Sequence, residues 1–124
     1  MRKIPVTLKV LDAVTATTTS ETVDVGGAYG LSIQGVRAND AGGTSTFSLL
    51  VSNDGTTFIT YNGLITNVTN TIGQTPVRAA SVAVAASDGT VLAKVDDFFG
   101  FRYVQVKVTE TADGTHSAYL HYYV

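Results

Sequence analysis

The stretch VQVKVTETADGTHSAYLHYYV, residues 104–124, decides the fold class. Apolar residues recur at every second position on both sides of an Asp-Gly: Val104, Val106 and Val108 before it, Ala118, Leu120 and Tyr122 after it. A period of two lines up side chains on one face of a strand, and Asp-Gly between two such runs is a strong hairpin signal. Register separates the possible loops, because a slip of one residue turns every side chain over. A loop of Asp113 and Gly114 alone sets Val106 opposite His121. A loop of Ala112, Asp113 and Gly114 pairs Val108 with Ala118, Val106 with Leu120 and Val104 with Tyr122. Gln105, Lys107, Tyr119 and His121 then share a wetter face. The second arrangement sorts apolar from polar better, and it puts Gly114 in the left-handed region that glycine tolerates.

The same Asp-Gly-Thr occurs at 54–56 and 88–90. A loop of Asn53, Asp54 and Gly55 pairs Phe47 with Tyr61 and Leu49 with Ile59; small residues leave the register around Gly89 open. The triplet therefore reads as a turn code. Asp54, Asp88 and Asp113 serve turns rather than a ligand, and Gly55, Gly89 and Gly114 are the structural glycines. Further alternating runs are IPVTLKV (4–10), ETVDV (21–25), YGLSIQGVRA (29–38), TFSLLVS (46–52), RAASVAVAA (78–86) and TVLAKV (90–95). About eight or nine short strands at regular spacing predict an all-β, antiparallel sandwich, jelly-roll or Ig-like, in one domain spanning residues 1–124. Helix is confined to one turn at VDDFF, 95–99. Pro5 lacks a ladder donor, which makes residues 1–11 an edge strand or an assembling arm, with Ile4, Val6 and Leu8 as candidate contacts.

Composition narrows the function. The chain has no cysteine, which excludes disulfides and thiolate chemistry. A net charge of -2 with 15% charged residues gives no footprint for nucleic acid or an anionic membrane, so neither is expected as a partner. With 44% hydrophobic residues beside so few charges, part of the surface is expected to be covered by another molecule. The opening MRKIPVTLKVLDAV is interrupted by Pro5, Thr7, Lys9 and Asp12, unlike the apolar stretch of a signal peptide, and the expected product is cytosolic or is assembled in a cytosol.

No constellation suggests catalysis, and no catalytic, cofactor or metal residue is expected. His116 and His121 read as solvated strand positions; His116 and Ser117 are neighbours on a strand and point to opposite faces. Asp96 and Asp97 are followed by aromatics, not by the alternating acids of a calcium loop. NDAGG at 39–43 lacks the lysine and helix of a phosphate cradle, and Asn67-Val68-Thr69 is a glycosylation acceptor without a secretory signal. The aromatics are more informative. Phe98, Phe99, Phe101 and Tyr103 cluster, as do Tyr119, Tyr122 and Tyr123, and alternation sends one member of each set outward. Outward tyrosines stack on sugars or anchor interfaces. Leu50 lies on the face opposite Phe47, Leu49 and Val51, on the side of Phe58. A strand apolar on both faces is covered on both, here by a second subunit.

VDVGGAYGLSIQG, TFSLLVSNDGTTFITY and FFGFRYVQVKVTETADGT together resemble small structural proteins of tailed phages, in which a strand ends in Ser-Asn-Asp-Gly-Thr-x-aromatic and a later strand reads Tyr-Arg-Tyr-Val-Arg-Val or similar. The resemblance runs over residues 20–124. It implies a non-enzymatic virion component, a capsid decoration or cement protein or a head-to-tail or tail piece, binding other virion proteins and itself. Similar wording occurs in discoidin-like sugar-binding sandwiches, which implies as the alternative a carbohydrate-binding module for host attachment. Phe58 stands where tryptophan is common there, and Gln105 where a second basic residue is.

Overall fold

The computed structural model describes residues 4–38, 43–68, 75–85, 89–95, 100–111 and 114–124. Among them are the strands β1 (Pro5–Val14), β2 (Thr18–Thr19), β3 (Val23–Asp24), β4 (Tyr29–Ala38), β5 (Thr44–Ser52) and β6 (Ile59–Thr60). These are followed by β7 (Leu64–Ile65), β8 (Arg78–Ala79), β9 (Val82–Ala85), β10 (Gly89–Lys94), β11 (Tyr103–Glu110) and β12 (Thr115–Tyr123). The larger sheet runs β1-β12-β4-β10-β7-β8 and the smaller β2-β11-β5-β6, with β3 beside β11 and β9 beside β5. β2 and β3 share one row along β11, and β9 and β6 share another along β5. Counted as rows, this matches the expected strand number, with β7 and β8 as a small extension.

One set of pairings is nested. Pro5 pairs with Tyr123, Thr18 with Val108, Val23 with Val104, Arg37 with Gly89 and Thr44 with Ala85. The chain is one long antiparallel ribbon, doubled about its middle and rolled so that successive lengths fall alternately in the two sheets. That is the jelly-roll form of a β-sandwich.

Nesting overturns the hairpin expected at 104–124. β11 lies in the smaller sheet and β12 in the larger, so the connection through Gly114 is a corner between sheets. Gly89 opens β10 in the larger sheet after β9 in the smaller one, at a second such corner. The faces nevertheless fall as expected. Val104, Val106, Val108, Ala118, Leu120 and Tyr122 are all buried in one core, and they meet across the sandwich rather than along a ladder. Alternation fixes the face a residue takes; it does not choose the neighbouring strand. Asp88, Ala112 and Asp113 lie outside the described residues, as do Asp96, Asp97, Phe98 and Phe99 with the expected helical turn.

The Asp54 turn does join strands of one sheet, in a different register. Leu50 pairs with Thr60 and Val51 with Ile59, two residues from the expected match. The loop is longer because it is held from within. The Asp54 carboxylate accepts the Thr56 and Thr57 amides at 2.8 and 2.9 Å, and Ser52 Oγ accepts the Gly55 amide at 3.0 Å. Ile59, expected inside, is 62% exposed.

The core is close-packed where the sheets meet. A β-carbon on Gly35 of β4 would stand 2.5 Å from the ring of Phe47 of β5, which is fully buried. One end of the interior is polar. His116, expected in solvent, is fully buried, with Nε2 2.7 Å from Ser45 Oγ and Nδ1 3.3 Å from the Val14 carbonyl oxygen. It is the next inward position after Ala118, so strand period overrides its polarity. Arg37 pairs beside it, also buried, and donates from Nη1 to the carbonyls of Gly43 and Val84.

Candidate functional site

The residues singled out in the sequence do not converge. Ile4 is exposed at the open edge of the larger sheet, its backbone bonded both ways to Val124. Val6 and Leu8 face inward beside Tyr122 and Leu120 and pack on the chain's own core. Of the segment expected as an edge strand or an arm, the described residues form the edge strand β1 of the chain's own sheet. The ladder breaks between Lys9 and Leu11 and again before Val14, where Ser117 Oγ accepts the Ala13 amide at 3.0 Å. Proline at one end and a bulge at the other leave a short open edge, a common way to discourage strand addition. Leu50 is half-buried on the outer face of the smaller sheet between Gln105 and Thr60, and the register puts Phe58 diagonal to it rather than opposite.

Gly55 and Gly114 have positive φ, +74° and +137°. Gly55 also explains why two of the sequence motifs occur together. Its α-carbon lies against Tyr103, whose ring a β-carbon would meet at 3.4 Å. Asn53 Oδ1 accepts the Arg102 amide at 3.2 Å, and Arg102 Nη2 reaches Asp24 at 3.2 Å. Ser-Asn-Asp-Gly and Phe-Arg-Tyr are two halves of one docked corner. The Thr57, Thr56 and Ser52 hydrogen bonds hold the Asp54 carboxyl down at about 2.

The outer face of the larger sheet carries a concavity. A shallow depression of about 370 Å³ is lined by Thr7, Ser32, Gln34, Val36, Leu92, Tyr119 and His121. Register explains its form. Two rungs cross four strands: Thr7–His121–Ser32–Lys94, and Lys9–Tyr119–Gln34–Leu92. Ser32 and Val36 flank Gln34 on β4 with short side chains, while Tyr119, His121 and Leu92 stand on the strands to either side. Thr7 Oγ1 lies 2.7 Å from His121 Nδ1 and fixes the imidazole, which meets the Tyr123 ring edge-on at 5.1 Å. Lys9 sits 5.8 Å from the Tyr119 ring centre, and Asp12, 2.8 Å away, raises the pKa of its ammonium. The sequence placed Tyr119 and His121 on a wet face. Thr7, Ser32, Gln34 and Leu92 were not legible as their neighbours, because the pairings that gather them join distant parts of the chain.

Among the described residues no group of three or more His, Asp or Glu is placed to hold a metal ion. No helix there is long and apolar enough to cross a membrane. Asn67, the glycosylation candidate, donates from Nδ2 to the Thr75 carbonyl and accepts the Val77 amide at Oδ1.

No family model matches the chain, and no curated protein does. A solved structure does: the SPBc2 prophage-derived protein YomS superposes with a TM-score of 0.66 at 10% identity, over 100% of this chain and 96% of that one. The two share a fold. A chain from the disulfide-linked pili of Bacillus endospore appendages aligns at a TM-score of 0.40 and 15% identity, over 99% of this chain and 88% of that one, too distant to carry an argument.

Proposed function

We propose that the protein is a non-enzymatic structural component of a phage particle, a capsid decoration protein or a head-to-tail or tail piece, working as a homo-oligomer through protein contacts. The observation that carries this reading is the end-to-end match of its jelly roll to a prophage-derived protein, with nearly all of both chains aligned. The docked Ser-Asn-Asp-Gly and Phe-Arg-Tyr corner supports it, since the phage-like motifs of the sequence here form one physical unit. The Ser45–His116 pair has the spacing of a nucleophile and its base, but both residues are 0% exposed, which suits a structural tie between sheets better than a reacting site. Leu50 and the diagonal Phe58, on the outer face beside Thr60 of β6, are the preferred contact with a neighbouring subunit.

The test is composition of the particle. Phage from a lysate in which the gene is expressed is banded by density and digested for mass spectrometry, and an antibody to the chain is used to label intact particles. The chain should be present at a fixed ratio to the major capsid protein or the tail proteins. Abundance in the lysate with absence from banded particles overturns the reading.

A further inference from the structure

The depression on the outer face of the larger sheet takes no part in folding the corner or in the contact proposed at the β5–β6 edge, and its chemistry is specific. We propose that it is a binding site for a neutral saccharide, seated along β4 between Tyr119 and His121 on one side and Leu92 on the other.

The size fits a small ligand. A volume of about 370 Å³ lies near the lower end of the ~300–1,000 Å³ common for small-molecule sites, enough for a short saccharide and too little for a long chain to be enclosed. The lining sorts into two kinds of surface. Leu92, Val36 and the ring of Tyr119 offer apolar area to the C–H faces of a sugar ring. Ser32, Gln34 and His121 offer a hydroxyl, an amide and an imidazole to its hydroxyl rim. The Gln34 amide carries two donors and an acceptor, which is the requirement of vicinal hydroxyl groups. His121 suits the same ligand in either tautomer. With Nδ1 engaged by Thr7, Nε2 is left to the ligand, as a donor if Nδ1 accepts and as an acceptor if Nδ1 donates. A sugar hydroxyl can answer both.

Charge argues for a neutral ligand. None of the seven lining residues is an acid, a lysine or an arginine. Of the two lysines on the rungs, Lys9 has its charge engaged by Asp12, and Lys94 stands exposed at the far end of the Ser32 rung, outside the lining. An anionic ligand would find no counter-charge in the lining, and a cationic one no carboxylate. The floor and walls lie on paired strands, so the site is held by the sheet rather than by a loop.

The sugar itself is found by screening. The purified protein is applied to an array of bacterial surface glycans, and the best-bound glycan is titrated by saturation-transfer NMR. Tyr119→Ala and Gln34→Ala should each weaken that glycan by about tenfold or more, because they remove a stacking platform and a bidentate partner. Gln105→Ala, on the outer face of the other sheet, should leave it unchanged. Thermal denaturation checks that each variant is folded, and Leu92→Ala replaces Tyr119→Ala if truncating the tyrosine unfolds the protein. Loss on the sheet variants with retention on Gln105→Ala supports the site. The site is refuted if no glycan binds, or if binding survives both Gln34→Ala and the wall variant. Neither result touches the particle assignment, which rests on composition.

Discussion

Ser45 Oγ and His116 Nε2 lie 2.7 Å apart in the interior, joining the smaller sheet to the larger through a hydrogen bond that water does not reach. Truncating one partner strands the other. Ser45→Ala should lower stability by about 1–3 kcal/mol, the cost of leaving a buried polar nitrogen without its partner. Urea denaturation measures it. The double variant Ser45→Ala/His116→Leu should lose less than the sum of the single changes, and strict additivity would mean that the bond contributes nothing.

A second prediction concerns Gly35. Its backbone is that of an ordinary strand, so the demand for glycine comes from Phe47, whose ring occupies the space a β-carbon would take. Gly35→Ala should destabilise by about 1–3 kcal/mol through overpacking. Adding Phe47→Leu should return part of that loss. If Gly35→Ala is neutral in a denaturant titration, the two sheets are less tightly apposed than described.

Acid should loosen the loop at residues 52–58 in a defined window. The folded Asp54 carboxyl is depressed from 3.8 to about 2, first by the Thr57 and Thr56 amides and then by Ser52. A depressed carboxylate adds stability above its unfolded value, and that contribution fades as pH falls from 3.8 towards about 2. Asp54→Asn should flatten the pH dependence of stability across that interval. Carboxyl NMR of the native protein should place the Asp54 midpoint near the bottom of it, and an ordinary midpoint would contradict the hydrogen bonds.

Leu50→Asp tests the subunit contact. Leu50 is half-buried on an outward face, so the fold should tolerate the change. A charge placed in a dry interface is costly. Light scattering should show an oligomer for the natural protein and a monomer for the variant, with particle incorporation lost in parallel. A natural protein that is monomeric, together with a variant that still enters particles, rules the contact out.

Strands and faces could be read from the sequence because both are local. The valines of β11 and the alternate residues of β12 are buried as their period demands. Partners could not be read, because an Asp-Gly reversal looks the same at a hairpin tip and at a corner between sheets. His116 and Arg37 show a different limit. The period that buries Leu120 and Ala118 also buries His116, and the one that buries Leu31 and Ile33 reaches Arg37. Reading polarity as exposure hid a signal that was present. The length of the Asp54 loop escaped for lack of any pattern: it is set by which amides one carboxylate collects.

The nested ribbon has a consequence for how the chain reaches its native state. Joining Pro5 to Tyr123 directly closes a loop of nearly the whole chain, and the entropy of closure grows with loop length. Working outward from the middle avoids that cost, since each pairing already made brings the next two lengths of chain close together. The order of least entropy loss therefore starts near the β5–β6 turn, proceeds through β9 and β10, and brings β1 and β12 together at the end. Topologies dominated by such distant pairings fold slowly, on the order of milliseconds to seconds. On that order the residues of β1 are the last to be seated, and until they are, β12 remains an open edge.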